Sequence, residues 1–408
     1  MTILSDSACP LCQGSDCPGL LRLDCGNLDG STLYQELRLH ACSRCGHVFN
    51  ALTARELAGL AAYYHQEYAA SNLGAAATGG DRPGSADPLT RQRYQQLAAA
   101  LMPHVRPDDR LLDVGCALGG FLLHLAGQGF RHLAGVEMTQ AYVERAREVC
   151  PFPVAAGSAE ALPFEDHSLD AVVLEQVLEH LAAPGQALAE ARRVLRPGGI
   201  LCLGVPDAAA YQEQPFFDFY WLLLREHIQH FDATAIAWLG ARHGFTLLAA
   251  AHTTHAVMSP TMVMPNLYAV LRATGPADPA AAGWPDPGRL RQKMTAYLHE
   301  QQARRQRHTA MLAELARAGT PVYAWGVGRE LLYLWAAGLA ACRIQGLIDT
   351  SPHKQRHCTL GGRPIGGSEV LGQAAAEATL LITAVAHTGP IAQAARALGF
   401  PGSILSLA

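Results

Sequence analysis

Charge is scarce in this chain: only 16% of its 408 residues are Asp, Glu, Lys or Arg, and the formal net charge is −4. So small a charge leaves no electrostatic footprint for nucleic acid or for an anionic membrane. No uninterrupted apolar stretch is long enough to span a bilayer. The opening residues, MTILSDSACPLCQ, lack the basic start and the apolar core of a secretory leader. Eleven cysteines could staple a small secreted domain, but four of them form two CxxC pairs. Without an export signal, that pattern predicts a reducing cytoplasm and a metal rather than disulfides.

What is present is apolar bulk. Half the residues are hydrophobic, and a chain of this length is too long for one ordinary core, so two or three domains are expected. Residues 1–75 read as a Cys-, Gly- and Asp-rich region followed by a short helix, ARELAGLAAYYHQEY. A Gly/Ala/Pro-rich connector (72–88) with the composition of a loop or lid comes next. From about 90 to 250, short apolar runs alternate with helical periods: RLLDVG, GGFLLHLAGQG, HLAGVE, AYVERAREV, LDAVVLEQ, AEARRVL, ILCLGVP. That alternation predicts a doubly wound α/β domain with a parallel sheet covered on both faces. A long polar-faced helix, RLRQKMTAYLHEQQARRQRHTAMLAELARAG, then leads into a second α/β unit built on PVYAWGVG, IQGLID, ATLLITAV and SILSLA. The domain bounds are 1–75, 76–255 and 256–408.

CPLC (9–12) and CSRCGH (42–47) are separated by 29 residues. Two thiolates on one tight turn can share a face of a zinc ion, and two such turns complete a tetrahedron. Cys9, Cys12, Cys42 and Cys45 are the predicted ligands, with Cys17, Cys25, His40 and His47 as nearby substitutes. Four protein ligands leave no open position, so the ion is structural, and it can supply folding energy to a region poor in apolar residues.

LLDVGCALGGFLLHLA (111–126) ends an apolar strand in Asp113. Gly115 then allows a sharp turn, and Gly119 and Gly120 open the next helix. Glu137 ends the following strand, 22 residues after Gly115, where a carboxylate can accept both hydroxyls of a ribose. DVGCALGG lacks the G-x-G-x-x-G spacing of a dinucleotide site. GSAEALPF (157–164), DAVVLEQVLEHL and VLRPGGILCLGVP complete an ordered set.

That set resembles the class I S-adenosylmethionine-dependent methyltransferases over residues 90–250. The resemblance implies a Rossmann-like core whose cofactor pocket is lined by Asp113, Gly115, Glu137, Ser158, Ala159 and Glu160, with Cys116, Gly119 and Met138 beside them. Glu175 and Gln176 would face the methionine or the transferring methyl. Over nearly the whole chain, the order of zinc region, core, long helix and second Rossmann-like domain is similar to the NDP-deoxysugar C-methyltransferases. VVLEQVLEHL puts His180 on a family active-site histidine, and YWLLLREHIQHF puts Glu226 and His227 on the family's Glu-His pair. Two family tyrosines are replaced, one by Leu224 and one, in EYAASN after Tyr68, by Ala70.

Methyl transfer to a carbon acid needs the acceptor aligned and its proton removed, and histidine titrates near working pH. His227 is the expected general base, Glu226 its orienting or substrate-binding partner, and His180 the second candidate. His230 reads as a packing or surface residue. The expected activity is methyl transfer from S-adenosylmethionine to a small-molecule acceptor, a sugar nucleotide or natural-product precursor, at carbon. Transfer to N or O of another metabolite, or an inert scaffold, are the alternatives. In the second α/β unit, Gly326, Gly328 and Asp349 make half a dinucleotide fingerprint that turn geometry explains equally well.

Overall fold

The computed structural model describes residues 8–68, 87–213, 220, 222–257, 259–276 and 283–407, with the side chains of 259–261 left out. The 72–88 connector up to 86, and Ala70, lie outside the described residues.

The N-terminal region carries strands β1 (Gly19–Asp24), β2 (Glu36–Ala41) and β3 (Val48–Asn50), then helix α1 (Ala54–Tyr63). Thr53 and Glu56 form a reciprocal capping box at the start of α1. The helix then widens into one π turn, Tyr64–Tyr68. Such turns are rare and gather at functional sites.

Helix α2 (Pro88–Leu101) opens the core, with Asp87 accepting from the backbone of Leu89 and Thr90 and Pro88 preset at the first turn. Strand β4 (Arg110–Val114), helix α3 (Gly120–Gly127), β5 (His132–Glu137), helix α4 (Gln140–Val149), β6 (Val154–Ala156), β7 (Leu169–Glu175), helix α5 (Pro184–Val194) and β8 (Leu195–Pro206) follow. Strands β4 and β7 are apolar almost throughout and buried along nearly their whole length, as strands covered on both faces must be.

Two-residue β9 (Gln229–His230) leaves the core and pairs with β3, so the N-terminal sheet, ordered β1-β2-β3-β9, borrows its last strand from far along the chain. Helix α6 (Ala233–Arg242) and the long hairpin β10 (Phe245–Val257) and β11 (Ser259–Ala273) complete the core. The seven-stranded order is β10-β11-β8-β7-β4-β5-β6; the steps between β6 and β8 are parallel, and β11 runs antiparallel to both its neighbours. The sheet therefore extends to Ala273. A boundary at 255/256 cuts its closing hairpin, because β11 lies between β10 and β8 in the ladder.

Helix α7 (Arg289–Ala318) buries Leu290, Met294, Tyr297, Leu298, Gln301 and Leu312 along one stripe and leaves its polar face outward. Strand β12 (Pro321–Trp325), helix α8 (Arg329–Ala336), β13 (Arg343–Ile348), β14 (Thr359–Leu360), β15 (Arg363–Gly366), β16 (Thr379–Ile382) and β17 (Ser403–Ser406) form a second sheet, ordered β14-β15-β13-β12-β16-β17. Helix α8 and the β14–β15 hairpin are clasped to the N-terminal region: the Leu332 carbonyl accepts from the Gly26 amide at 2.8 Å, and the Asp29 carboxylate accepts from Thr359, Gly361 and Gly362. No described helix is long and apolar enough to cross a membrane.

Candidate active site

At the carboxyl ends of β4, β5 and β7, where α/β sheets take their ligands, lies a cavity of about 750 Å³. That falls within the roughly 300–1,000 Å³ typical of small-molecule sites. Its floor is built by the turn after β4. Gly115 has φ +78°, and a Cβ there would stand 2.5 Å from Val177 Cγ2, so only glycine fits the bend. Glu137 is buried at the end of β5, with its carboxylate gripped by two backbone amides: Ala117 N at 3.1 Å and Thr139 N at 2.8 Å. Those bonds aim the remaining lone pairs into the cavity, as a carboxylate must be aimed to accept a vicinal diol.

Asp113 and Glu175 join Glu137 in the wall. Burial pushes the Asp113 carboxyl well up, and the neighbouring Glu175 and Glu137 push it further. Burial also raises Glu137. Arg93 approaches Glu175 at 3.5 Å. Three clustered carboxyls repel a pyrophosphate and favour a cationic guest.

Cys116, Met138, Ser158, Ala159, Glu160 and Gln176 line the same cavity, Gln176 with φ +54° and its amide on Asn266 Oδ1 at 2.9 Å. Gly119 does not line it. With φ +76° it is the left-handed residue before α3, packed against Cys150, so its role is to start the helix.

The opposite end of the cavity carries His180, Glu226 and His227. His180 Nδ1 lies 2.9 Å from the Glu226 carbonyl and 2.9 Å from the Tyr64 hydroxyl. The His180 and His227 rings meet edge-on with centroids 4.7 Å apart. Burial, then the nearby His180, His230 and Arg329, holds His227 well below the usual imidazole range, so it is neutral. Burial pushes Glu226 up, but Arg329 and Arg225 outweigh it and the net direction is down, leaving a carboxylate. Its side chain accepts from Tyr63 at 3.3 Å, so the partner that Glu226 orients is His180, through the main chain. His230, read from sequence as a packing or surface residue, is buried, its Nδ1 3.2 Å from the Tyr211 hydroxyl.

The segment 225–230 is held by the N-terminal region. Tyr34 donates to the Arg225 carbonyl, Arg225 reaches Asn27 Oδ1 at 2.7 Å and the Tyr34 carbonyl at 2.8 Å, and Asn50 N donates to Ile228 at 2.7 Å. His47 Nε2 meets Gln229 at 2.8 Å. Behind this contact stand the four cysteines. Sγ atoms of Cys9 and Cys45 are 3.6 Å apart, those of Cys12 and Cys42 3.5 Å, and all four thiols are buried within 4.8 Å of one another. Tetrahedral zinc with bonds of about 2.3 Å sets its sulfurs roughly 3.8 Å apart, so the cluster fits the ion. Gly14 N and Arg44 N, each 3.4 Å from a sulfur, would support the thiolates. Cys17, Cys25, His40 and His47 lie outside the cluster. All eleven cysteines are free of disulfides.

Sequence reading missed several cavity residues: Tyr64 from the π turn, Arg93 and Tyr94 from α2, and Arg329 and His387 from the C-terminal unit. Paired tyrosines in AYYHQEY were a visible signal; Arg329 and His387 had none, because only the docking of the two units brings them there. Leu224 lines the cavity where the resembled family has a tyrosine. Asp349 directs both carboxylate oxygens inward, accepting from Val327 N, Ser351 N and Lys354 Nζ, each at 2.9 Å.

Residues 89–250 match a model of the family described as "Methyltransferase domain". Among curated relatives, an uncharacterised 37.1 kDa protein of transposon Tn4556 from Streptomyces fradiae is 45% identical over 25% of this chain and 31% of its own length. The 27-O-demethylrifamycin SV methyltransferase of Amycolatopsis mediterranei is 34% identical over 29% of this chain and 48% of its own. A probable S-adenosylmethionine-dependent methyltransferase of Mycolicibacterium smegmatis is 27% identical over 41% and 73%. The chain thus spans less than half the length of the first two. Among solved structures, the [4+2]-cyclase SpnF is 18% identical, covers 52% of this chain and 95% of its own, and has a TM-score of 0.40. Residues 89–250 thus match a methyltransferase-domain model, and their strand order gives the Rossmann-like fold of the class I S-adenosylmethionine-dependent methyltransferases.

Proposed function

We propose that this chain transfers a methyl group from S-adenosylmethionine to carbon of a small-molecule acceptor, with His227 as general base. The observation that carries the reading is the acid-walled pocket. Burial, then Glu175 and Glu137, raise the cost of ionising Asp113, and a ligand bearing a sulfonium and an ammonium offsets that cost, whereas an anionic dinucleotide adds to it. Glu137 would take the ribose hydroxyls, and Ser158, Ala159 and Glu160 would border the adenine. Bound S-adenosylmethionine supplies an electrophilic methyl carbon, and the protein's task is to align the acceptor and accept its proton.

At the acceptor end, neutral His227 is a ready base, and ionised Glu226 is placed to bind a polar group of the acceptor and to stabilise the imidazolium. His180 is the second candidate base. Two relatives, named for a demethylrifamycin and a methylenesterol, act on small molecules by those names, which supports an acceptor of that size. A sugar nucleotide fits the resemblance, but Leu224 brings an apolar wall where a tyrosine would bond to the sugar. In the cysteine cluster, zinc would be structural, held by Cys9, Cys12, Cys42 and Cys45.

Incubating the chain with labelled S-adenosylmethionine and extract metabolites tests the reading. Label should enter a small molecule as a C–CH3 group. His227→Gln should lower turnover at least ~100-fold, the usual scale of a lost general base, with cofactor affinity unchanged. Full turnover in that variant ends the assignment of the base.

A further inference from the structure

We propose that Glu179, His180 and His227 bind a divalent transition-metal cation, separate from any ion of the four-cysteine cluster. Glu179 is 1% exposed, and neither of its carboxylate oxygens has a hydrogen-bond partner. His227 is 4% exposed and its Nδ1 is likewise without one. One ligand atom from each of the three residues lies within 4.8 Å of the other two.

The tautomer of His180 is settled by its neighbour. Its Nδ1 faces the Glu226 carbonyl, which can only accept, so Nδ1 carries the proton and Nε2 keeps the lone pair. The Tyr64 hydroxyl on the same nitrogen must then accept as well. Nε2 points toward Glu179 Oε1, 3.9 Å away. An imidazole that gives its other N–H to a carbonyl is held as metal-ligating histidines are held.

A buried carboxyl facing two imidazole nitrogens, with no donor on it, is costly to ionise, and a cation offsets that cost. Two nitrogens and one carboxylate suit Zn²⁺, Fe²⁺ or Co²⁺; Mg²⁺ and Ca²⁺ prefer oxygen alone. Three protein ligands leave coordination positions open, and His180 and His227 both border the cavity, so those positions face the acceptor side. A histidine bound through one nitrogen keeps a proton on the other. A cation here therefore removes the lone pair that the proposed base uses, and the loaded protein is an idle state. This consequence rests on the His227 assignment; the binding of the ion does not.

Full-length protein stripped of metal, loaded with excess Co²⁺ and desalted, gives the test by metal counting and electronic spectra. Wild type should hold one cobalt more than Glu179→Gln and one more than His227→Gln. The ion lost should carry visible d–d bands without thiolate charge transfer. The charge-transfer band of the cysteine site should persist in both variants, which reports that the N-terminal sheet is still folded. Equal counts in wild type and both variants overturn the site, as does an extra ion that disappears only together with the thiolate band. An extra ion with undiminished turnover keeps the site and overturns the idle state. Cobalt counting needs no acceptor, so its failure leaves the methyl-transfer reading standing, and a chain that binds no S-adenosylmethionine leaves the site standing.

Discussion

Glu137 and Gly115 show how much of the pocket rests on single atoms. Glu137 is fixed by two amides, so a ribose binding as proposed would meet a preset acceptor with little left to order. Glu137→Gln keeps the shape but loses the charge; hydrogen bonds to charged groups contribute about 1.5–3 kcal/mol, so cofactor affinity should fall roughly 10- to 100-fold by calorimetry. Burial raises this carboxyl above its ordinary value. Affinity that needs the ionised form is present above that raised value and is lost as pH falls through it, at a higher pH than for a free glutamate. In Glu137→Gln the loss over that window should disappear. Gly115→Ala forces a left-handed alanine, at a cost of about 1–2 kcal/mol, and sets a methyl against Val177. Weaker cofactor binding and a lower Tm should appear together; an alanine variant indistinguishable from wild type would show that the bend tolerates a side chain. These residues were legible in the sequence because one turn and one strand end define them. Gly119 opens the next helix as its place in the string predicts, but the pocket role that the resemblance implies for it is absent from the cavity wall.

At the scale of elements, the sequence pattern located strands β4, β5, β7 and β8 and helices α3, α4 and α5, since buried parallel strands are continuous apolar runs; helices α2 and α6 and strand β10 it did not name. It did not show the π turn at 64–68, which spelling cannot separate from ordinary helix, nor β11, whose Ser-Pro-Thr start breaks the apolar pattern. Strand β9 is two residues long and exists only because β3 lies beside it. That pairing joins the cysteine cluster to the proposed base, because the strand begins two residues after His227. If the four cysteines hold zinc as proposed, chelation or Cys42→Ser should therefore raise amide exchange in β2, β3 and β9 together. Turnover should fall while S-adenosylmethionine affinity holds, since Asp113 and Glu137 belong to a different sheet. Unchanged exchange in β9 would mean that the knuckles do not hold the segment.

Across the whole molecule, the cavity is shared: the core supplies the acid-walled end, the N-terminal region the tyrosines and the grip on 225–230, and the C-terminal unit Arg329 and His387. Only the first of these was readable from spacing, because the others meet the pocket through contacts between residues more than a hundred positions apart. The second α/β unit keeps the outline of a nucleotide-binding fold, with its acid already committed to Val327, Ser351 and Lys354. In thermal melts, S-adenosylmethionine at about 100 times its Kd should stabilise the chain by about 2.7 kcal/mol. NAD at the same concentration should leave Tm where it was; a shift with NAD would reassign the C-terminal turn.

The central claim is that the bend after Asp113 and the acid at 137 hold S-adenosylmethionine, and titration calorimetry of the full-length chain with this ligand and its demethylated product tests it most directly. The account predicts saturable binding of both at one site, abolished or much weakened in Glu137→Gln. Absence of binding of either ligand to folded wild-type protein would contradict it.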